Sequence, residues 1–570
     1  MTRFLLLCLF FIVKASVLGA EYQWSTPVED VISKETGGHP RAFLWIPGDC
    51  KQVRAILIAP QNMEEVAIFE NPSCRKTLAE LGVAEIWITP PTSNHFRFDQ
   101  GAAESLEKTL KALAGASGYR EIEFAPLVPM GHSATASFPF DIAAWSPDRT
   151  LAAISVSGQW PYFREKTSSD PNGSPDWGNR TLDGVPCLTT KGEYEIAGDL
   201  LHGWYGSFGI ETLKHIKTLF TQIVEPSGDH FEASDEKIAL INLFLRKAAQ
   251  YRLPAVSPLD KAPKLTSINP ADGWLYDSWR LDQKPTAPAA PAASYTGDRS
   301  QAYWAFDEEM AKAIEAFQGR FRNQKPVFIG FRQSRGLANP IDDHMMFHLG
   351  FEPVGDGLTL HVSGAFWDKV PTTINGKPGP TGWSNMLNEG VRDFKQGDPL
   401  EFPQGEEDKI TVAPICGPVR QLGPGTFAIR FDRVGFNNQK RSEICLWLAY
   451  PGDGKFKRFV ERGAVRFPLK NAAGDPQTIT FPNIPDQKAG PSMPSMKFAA
   501  TSSAGSHVYY YVREGPAAVD DDGNLTFTPI PPRSAYPIKV TVIAWQWGRS
   551  TPPLLQTADP VEKTFSILAP

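Results

Sequence analysis

Residues 127–138, LVPMGHSATASF, run from an apolar stretch into Gly131-His132-Ser133-Ala134-Thr135 and then into small residues. A serine at the tip of a tight, glycine-permitted turn sits on a strained backbone with its hydroxyl presented to solvent. Ala134 and Ala136 let the strand and the following helix approach closely, and that helix start offers N–H groups to a developing oxyanion. An ordinary strand–turn–helix joint has the same outline. The chemical reading requires more: a serine is a useful nucleophile only beside a base, and the base needs an orienting carboxylate. Six histidines are available in this part of the chain: His39, His95, His132, His202, His215 and His230.

The turn resembles the nucleophile elbow of the α/β-hydrolase family. Thr135 stands where that family's pattern has its second glycine, and Pro139 should kink the helix that follows. The family's chain order is serine, acid, histidine, which disfavours the three histidines that precede Ser133. His202 and His215 have no strand signal before them. His230, in VEPSGDHFEASDEK, follows one and precedes a strong amphipathic helix, where the resemblance places the base. The acid is then expected after the preceding strand, in Gly192-Glu193-Tyr194-Glu195; Glu195 is the choice and Glu193 its competitor. The resemblance also implies an oxyanion hole made by the Ala134 N–H and by Gln61 or Asn62, with the Gln61 N–H preferred. Turn chemistry accounts equally well for Gln61-Asn62.

These groups need a scaffold, and its period is legible. Strand signals at 41–47, 53–60, 84–90, 124–130, 151–158, 185–192 and 219–226 alternate with helix signals at 74–83, 102–117 and 234–252. That alternation predicts an α/β fold: a mainly parallel sheet with helices on both faces, spanning 21–255. Beyond it the texture changes. KPTAPAAPAASYTG (284–297) is extended in character, 306–321 is one helix, and short alternating runs with Gly, Pro, Asn and Asp turns follow. A β-rich unit is expected over 256–465 and an immunoglobulin-like β-sandwich over 466–570. Asp521-Asp522-Gly523-Asn524 reads as a hairpin turn.

The first 20 residues, with Arg3 before an apolar run and small residues at Val17/Gly19 or Leu18/Ala20, read as a cleavable signal peptide. The protein is therefore expected outside the cytoplasm, secreted or periplasmic, with no membrane span. A net charge of −6 over 570 residues offers no basic face to nucleic acid. Five cysteines remain after the leader, an odd number at wide spacing that excludes a disulfide scaffold; Cys50–Cys74 and Cys416–Cys445 are the pairs near in sequence. Within the long insert 159–184, Trp160, Tyr162, Phe163 and Trp177 are expected either to wall a substrate site or to fill the core of a cap. IDDHMMFH (341–348) matches no strong ligand spacing, so neither a metal nor a cofactor is expected. The resulting expectation is a secreted serine hydrolase acting on carboxylic esters, with polysaccharide-linked esters as the class that the appended β modules favour by analogy. A serine peptidase using the same triad, and a non-catalytic glycan- or surface-binding protein on a hydrolase scaffold, are the alternatives.

Overall fold

The apolar runs of the first half assemble into an eight-stranded sheet in the computed structural model, which describes residues 22–158, 160–162, 173–197, 215, 217–338, 347–371, 394–395, 397–433 and 442–570. Residues 1–20, read above as a signal peptide, Phe163, His202 and most of the run 341–348 lie outside the described residues. The strands are β1 (Trp24–Pro27), β2 (Arg41–Trp45), β3 (Ala55–Pro60), β4 (Val83–Thr89), β5 (Leu127–His132), β6 (Ala153–Val156), β7 (Pro186–Gly192) and β8 (Leu219–Glu225). Their order is β1-β2-β4-β3-β5-β6-β7-β8. β1, β2 and β4 pair antiparallel, and everything from β4 to β8 is parallel.

The period-two alternation of the strands separates two core layers. In β3, Ala55, Leu57 and Ala59 face one layer, and Ile56 and Ile58 the other. Helices α1 (Glu65–Phe69), α2 (Pro72–Leu81), α3 (Ala102–Ser117), α4 (Phe138–Trp145), α5 (Glu193–Ala197) and α6 (Asp235–Arg252) connect the strands. The first layer is closed by Cys74 and Leu78 of α2 and by Ile238, Ile241 and Phe244 of α6. The second is closed by Leu106, Leu110 and Leu113 of α3. Helix ends follow local chemistry: Gly82 caps α2 in the left-handed region at φ 69°, and the Ser234 side chain accepts the Lys237 N–H at the start of α6.

Pro139 does not kink a continuous helix. The elbow is a short 3₁₀ turn over Ser133–Thr135, and Pro139 occupies the first turn of a separate α4, where its missing N–H costs nothing. The strand expected over 124–130 is shifted to Leu127–His132, which places Ser133 directly at its carboxyl end.

The boundary expected at 255 falls inside a packed body. Strands β9 (Trp274–Asp277), β10 (Ala290–Pro291) and β11 (Ala302–Ala305) and helix α7 (Glu308–Gln318) lie against the β8 edge of the first layer. Thr221 donates to the Trp304 carbonyl at 2.7 Å, Tyr276 donates to the Gln222 carbonyl at 2.6 Å, and Gln318 accepts the Val224 N–H at 2.9 Å. The proline/alanine-rich stretch therefore wraps the α/β unit and does not separate it from a new one.

The rest of the chain forms several small β-sheets. One contains the strands Phe347–Leu349, Thr411–Cys416, Glu443–Tyr450 and Phe459–Arg466. Further on, Ala517–Val519 pairs antiparallel with Asn524–Phe527 across the turn read at 521–524. Phe481, Val508, Tyr510, Val540 and Phe565 of this last part share the second core layer with α3. Cys50 and Cys74 lie in different layers, which overturns that candidate pair. Cys416 and Cys445 are register partners across two antiparallel strands, and both are free thiols in the structure.

At Gly131 a side chain has no room: a Cβ there would stand 2.0 Å from the carbonyl oxygen of Thr135. Relief requires the turn itself to move. Gly131→Ala is expected to destabilise the protein by about 3 kcal/mol or more, read as a lowered thermal midpoint against the parent.

Candidate active site

Ser133 is held at φ 51°, a left-handed conformation unusual for a residue with a side chain. The turn that enforces it is bonded from beneath. Glu65, at the start of α1, accepts the His132 N–H at 2.8 Å and the Thr135 hydroxyl at 2.9 Å through the same oxygen. Its other oxygen accepts the Asn62 N–H at 3.1 Å. Burial pushes the Glu65 carboxyl up from its ordinary value, and these hydrogen bonds oppose the shift. Thr135 is thereby explained: its hydroxyl is a working member of the turn. Above this base Ser133 is half-buried and Ala134 exposed, so the hydroxyl is reachable.

The structure brings Ser133, His230 and Glu195 into line. The Ser133 Oγ lies 2.7 Å from His230 Nε2, and His230 Nδ1 lies 2.8 Å from a Glu195 carboxylate oxygen. With Nδ1–H donating to the carboxylate, Nε2 is left to accept the serine hydroxyl proton. The residues come from the ends of β5, β7 and β8, all at the carboxyl edge of the sheet. The loops that carry Glu195 and His230 touch backbone to backbone. A Cβ on Gly192 would meet the Gly228 carbonyl at 2.5 Å, and the Tyr194 N–H donates to that carbonyl at 3.0 Å. The choice between the two glutamates is geometric: Glu193 turns away to accept the Ser227 N–H at 2.7 Å and to pair with Lys457 at 2.6 Å.

Glu195 is buried, which by itself would raise its pKa. Lys191 at 3.5 Å, His230, and the Gly192 N–H at 2.8 Å overcome that penalty and hold the carboxyl well below the usual carboxylate range. The Ser157 hydroxyl donates to it as well, at 2.9 Å, from a backbone at φ 49°. His132 plays a different part from the one its sequence position offered. It is buried beside His230, its Nε2–H donates to the His230 carbonyl at 2.8 Å, and burial, reinforced by His230, keeps its pKa well below the ordinary imidazole value. Ser157, Lys191, Glu65 and His132 were not singled out for roles in the sequence. A lysine inside the apolar run VPCLTTKG was the one visible signal among them, because a buried strand does not keep a cation without a partner.

Two expectations are overturned. The Gln61 N–H donates to the Ile88 carbonyl at 2.7 Å as part of the sheet, so it does not point to an oxyanion, and the Asn62 N–H is engaged by Glu65. Trp160 and Trp177 are buried in the core, and Tyr162 packs half-buried against it. Trp160 packs edge-on to Phe220 at 4.6 Å, Tyr162 shares a hydrogen bond with Thr218 at 3.0 Å, and Trp177 donates to Asp141 at 2.9 Å. A cavity of about 460 Å³ beside Ile88, His95 and Phe138 contains none of Ser133, Glu195 or His230.

No protein-family model and no curated protein matches the chain. Solved structures similar to its first half include a fluorophosphonate-binding serine hydrolase, FphF, of Staphylococcus aureus (14% identity, TM-score 0.26, 41% of this chain and 98% of that one). Others are an S-formylglutathione hydrolase of Agrobacterium tumefaciens (12%, 0.29, 41% and 96%) and the poly(3-hydroxybutyrate) depolymerase LpqC of Bordetella parapertussis (14%, 0.27, 42% and 93%). At TM-scores this low, the α/β-hydrolase arrangement is read from the sheet order and the elbow of this chain.

Because the folded pKa of Glu195 is depressed, its contribution to stability is complete above the ordinary carboxylate value of about 4.3 and is lost as pH falls through the folded pKa. Lys191→Met removes the ammonium and raises that folded pKa. Thermal midpoints followed from about pH 7 to about pH 3 are expected to be lower in the variant near neutral pH and to fall less than the parent's on acidification, because less of the depression is left to lose. Parallel curves for variant and parent would show that Lys191 does not hold this charge.

Proposed function

We propose that this protein is a serine hydrolase that cleaves carboxylic esters through Ser133, His230 and Glu195. The observation that carries the reading is the unbroken relay of 2.7 Å and 2.8 Å from the serine hydroxyl through the imidazole to a buried carboxylate. His230 Nε2 takes the Ser133 proton as Oγ attacks the ester carbonyl. Glu195 keeps Nδ1–H in the correct tautomer and stabilises the imidazolium that forms. The Ala134 N–H supports the negative charge that develops on the carbonyl oxygen. The imidazolium then gives its proton to the leaving alcohol. A water deprotonated by the same nitrogen attacks the acyl-serine and releases the acid.

The apolar leader in the sequence supports a secreted or periplasmic setting for this reaction. Among the described residues no helix is long and apolar enough to cross a membrane. A polysaccharide-linked ester rests on the appended β modules; Trp160 and Trp177 lend it nothing because they are buried in the core, and Tyr162 packs against that core.

The test is hydrolysis of a short-chain aryl ester by the parent and by Ser133→Ala, His230→Ala and Glu195→Gln. Each of the first two substitutions is expected to lower kcat by about 10⁴-fold or more. A fluorophosphonate should label the parent at Ser133 and leave Ser133→Ala unlabelled. An unlabelled parent without ester turnover would instead favour a binding protein. Turnover of peptides without turnover of esters would make it a peptidase.

A further inference from the structure

His230 sits in a loop whose neighbouring residues are gripped by the β-rich half of the chain. Asp229, immediately before it, pairs with Arg462 at 2.9 Å, and both side chains are only 3% exposed. Phe231, immediately after it, packs among Ile415, Cys445 and Ala464, with the same Arg462 guanidinium over its ring at 5.4 Å. Glu232 pairs with Arg458, which also donates to the Ser227 carbonyl at 3.2 Å. The acid loop is tied to the same place. Lys457 pairs with Glu193 at 2.6 Å, and the Tyr194 hydroxyl donates to the Arg458 carbonyl at 3.2 Å. Lys457 and Arg458 lead directly into the strand Phe459–Arg466, which carries Arg462.

We propose that Lys457, Arg458 and Arg462 form a positioning clamp of the β half that sets the acid and base loops in register, so that the β half is part of the active site. The inference rests on the hydrolase reading above. Physically, three carboxylates within two residues of the base or the acid are buried, and a carboxylate that stays charged when buried is held by a cation beside it. Here those cations come from a different part of the chain. If a cation is lost, the carboxylate moves toward water and takes its loop with it. For His230, whose two flanking side chains both meet Arg462, a shift of about 1 Å is enough to break the relay, at a cost of about 100-fold in rate. Arg462 touches none of the reacting atoms. Its role is to hold the base at the distance the serine requires.

The experiment uses the full-length chain with Arg462→Gln, Arg462→Lys and the double variant Asp229→Asn/Arg462→Gln, each assayed well below its own thermal midpoint. Hydrolysis of 4-nitrophenyl acetate and hydrogen–deuterium exchange over residues 227–233 are measured together. Arg462→Gln is expected to lower kcat by about 100-fold with KM within about threefold, and to speed exchange in 227–233 while β5 to β8 stay protected. Arg462→Lys should recover kcat to within about tenfold of the parent, because the charge is restored without the planar fork. The double variant removes both charges of this pair together, so it should keep a thermal midpoint nearer the parent's than Arg462→Gln does and still lose kcat. A double variant with parental kcat and parental protection would overturn the clamp. If the parent itself does not hydrolyse the ester, the hydrolase reading fails, and exchange alone decides: protection lost at 227–233 in the variants supports the clamp, and protection retained overturns it.

Discussion

A carboxylate buried yet charged is the constraint around which this molecule is organised. Glu195 orients the imidazole only as an anion, and an anion out of water is tolerated only when its lone pairs and its charge are both answered. Lys191 supplies the charge, and Ser157, the Gly192 N–H and His230 supply the hydrogen bonds. These partners come from three stretches of backbone, so the carboxylate ties the ends of β6, β7 and β8 to one another. The glycine contact between 192 and 228 is the steric counterpart of that knot, since it lets two loops meet without side chains between them.

Other buried carboxylates are also met by cations, though at Glu64 and Glu85 burial outweighs the pairing. Glu64, buried beside His132, is pushed up to about 8 by burial in spite of Lys237 at 2.6 Å. Glu85 on β4, pushed up to about 7 by burial, is met by Arg75 of α2 at 3.1 Å. Asp229, Glu193 and Glu232 are answered from the β-rich half. Buried ion pairs contribute little net stability compared with apolar packing of the same volume, whereas removing one partner is costly. Their concentration around the loops of Ser133, Glu195 and His230 is therefore better explained by geometry than by stability. They specify one arrangement of loops among several that hydrophobic burial alone would accept.

The elbow illustrates how a departure from a short motif is accommodated. A glycine at position 135 would leave the turn free of side-chain bonds. Thr135 instead places a hydroxyl against Glu65 and the His132 N–H, and the crowding falls on Gly131, where the backbone of residue 135 occupies the space of a side chain. Asn62, on the same loop, donates from its side chain to the His132 carbonyl at 2.7 Å. The loop after β3 that was expected to supply an oxyanion donor is thus spent on bracing the turn from below.

Periodicity and order were enough to recognise the sheet, its helices on both faces and the elbow, because a buried parallel strand and an amphipathic helix are written in residues close together. The resemblance singled out Ser133, His230 and Glu195 for the same reason: each follows its own strand signal. Pairwise closeness between distant segments is not written locally, and that is where the sequence was silent or misleading. Whether Trp160 faces solvent or core depends on where β8 lies, and the β8 edge in turn is covered by residues 274–318, whose proline-rich texture read as a new domain. The Gln61 N–H was lost to the sheet because it continues the parallel pairing of β3 with β4 one residue past Pro60, at the Ile88 carbonyl. Sequence alone determined the scaffold and the chemical types of the site. Tertiary structure decided which buried charge meets which, because Coulombic and steric partners 200 residues apart are chosen by packing, and packing leaves no period in the chain.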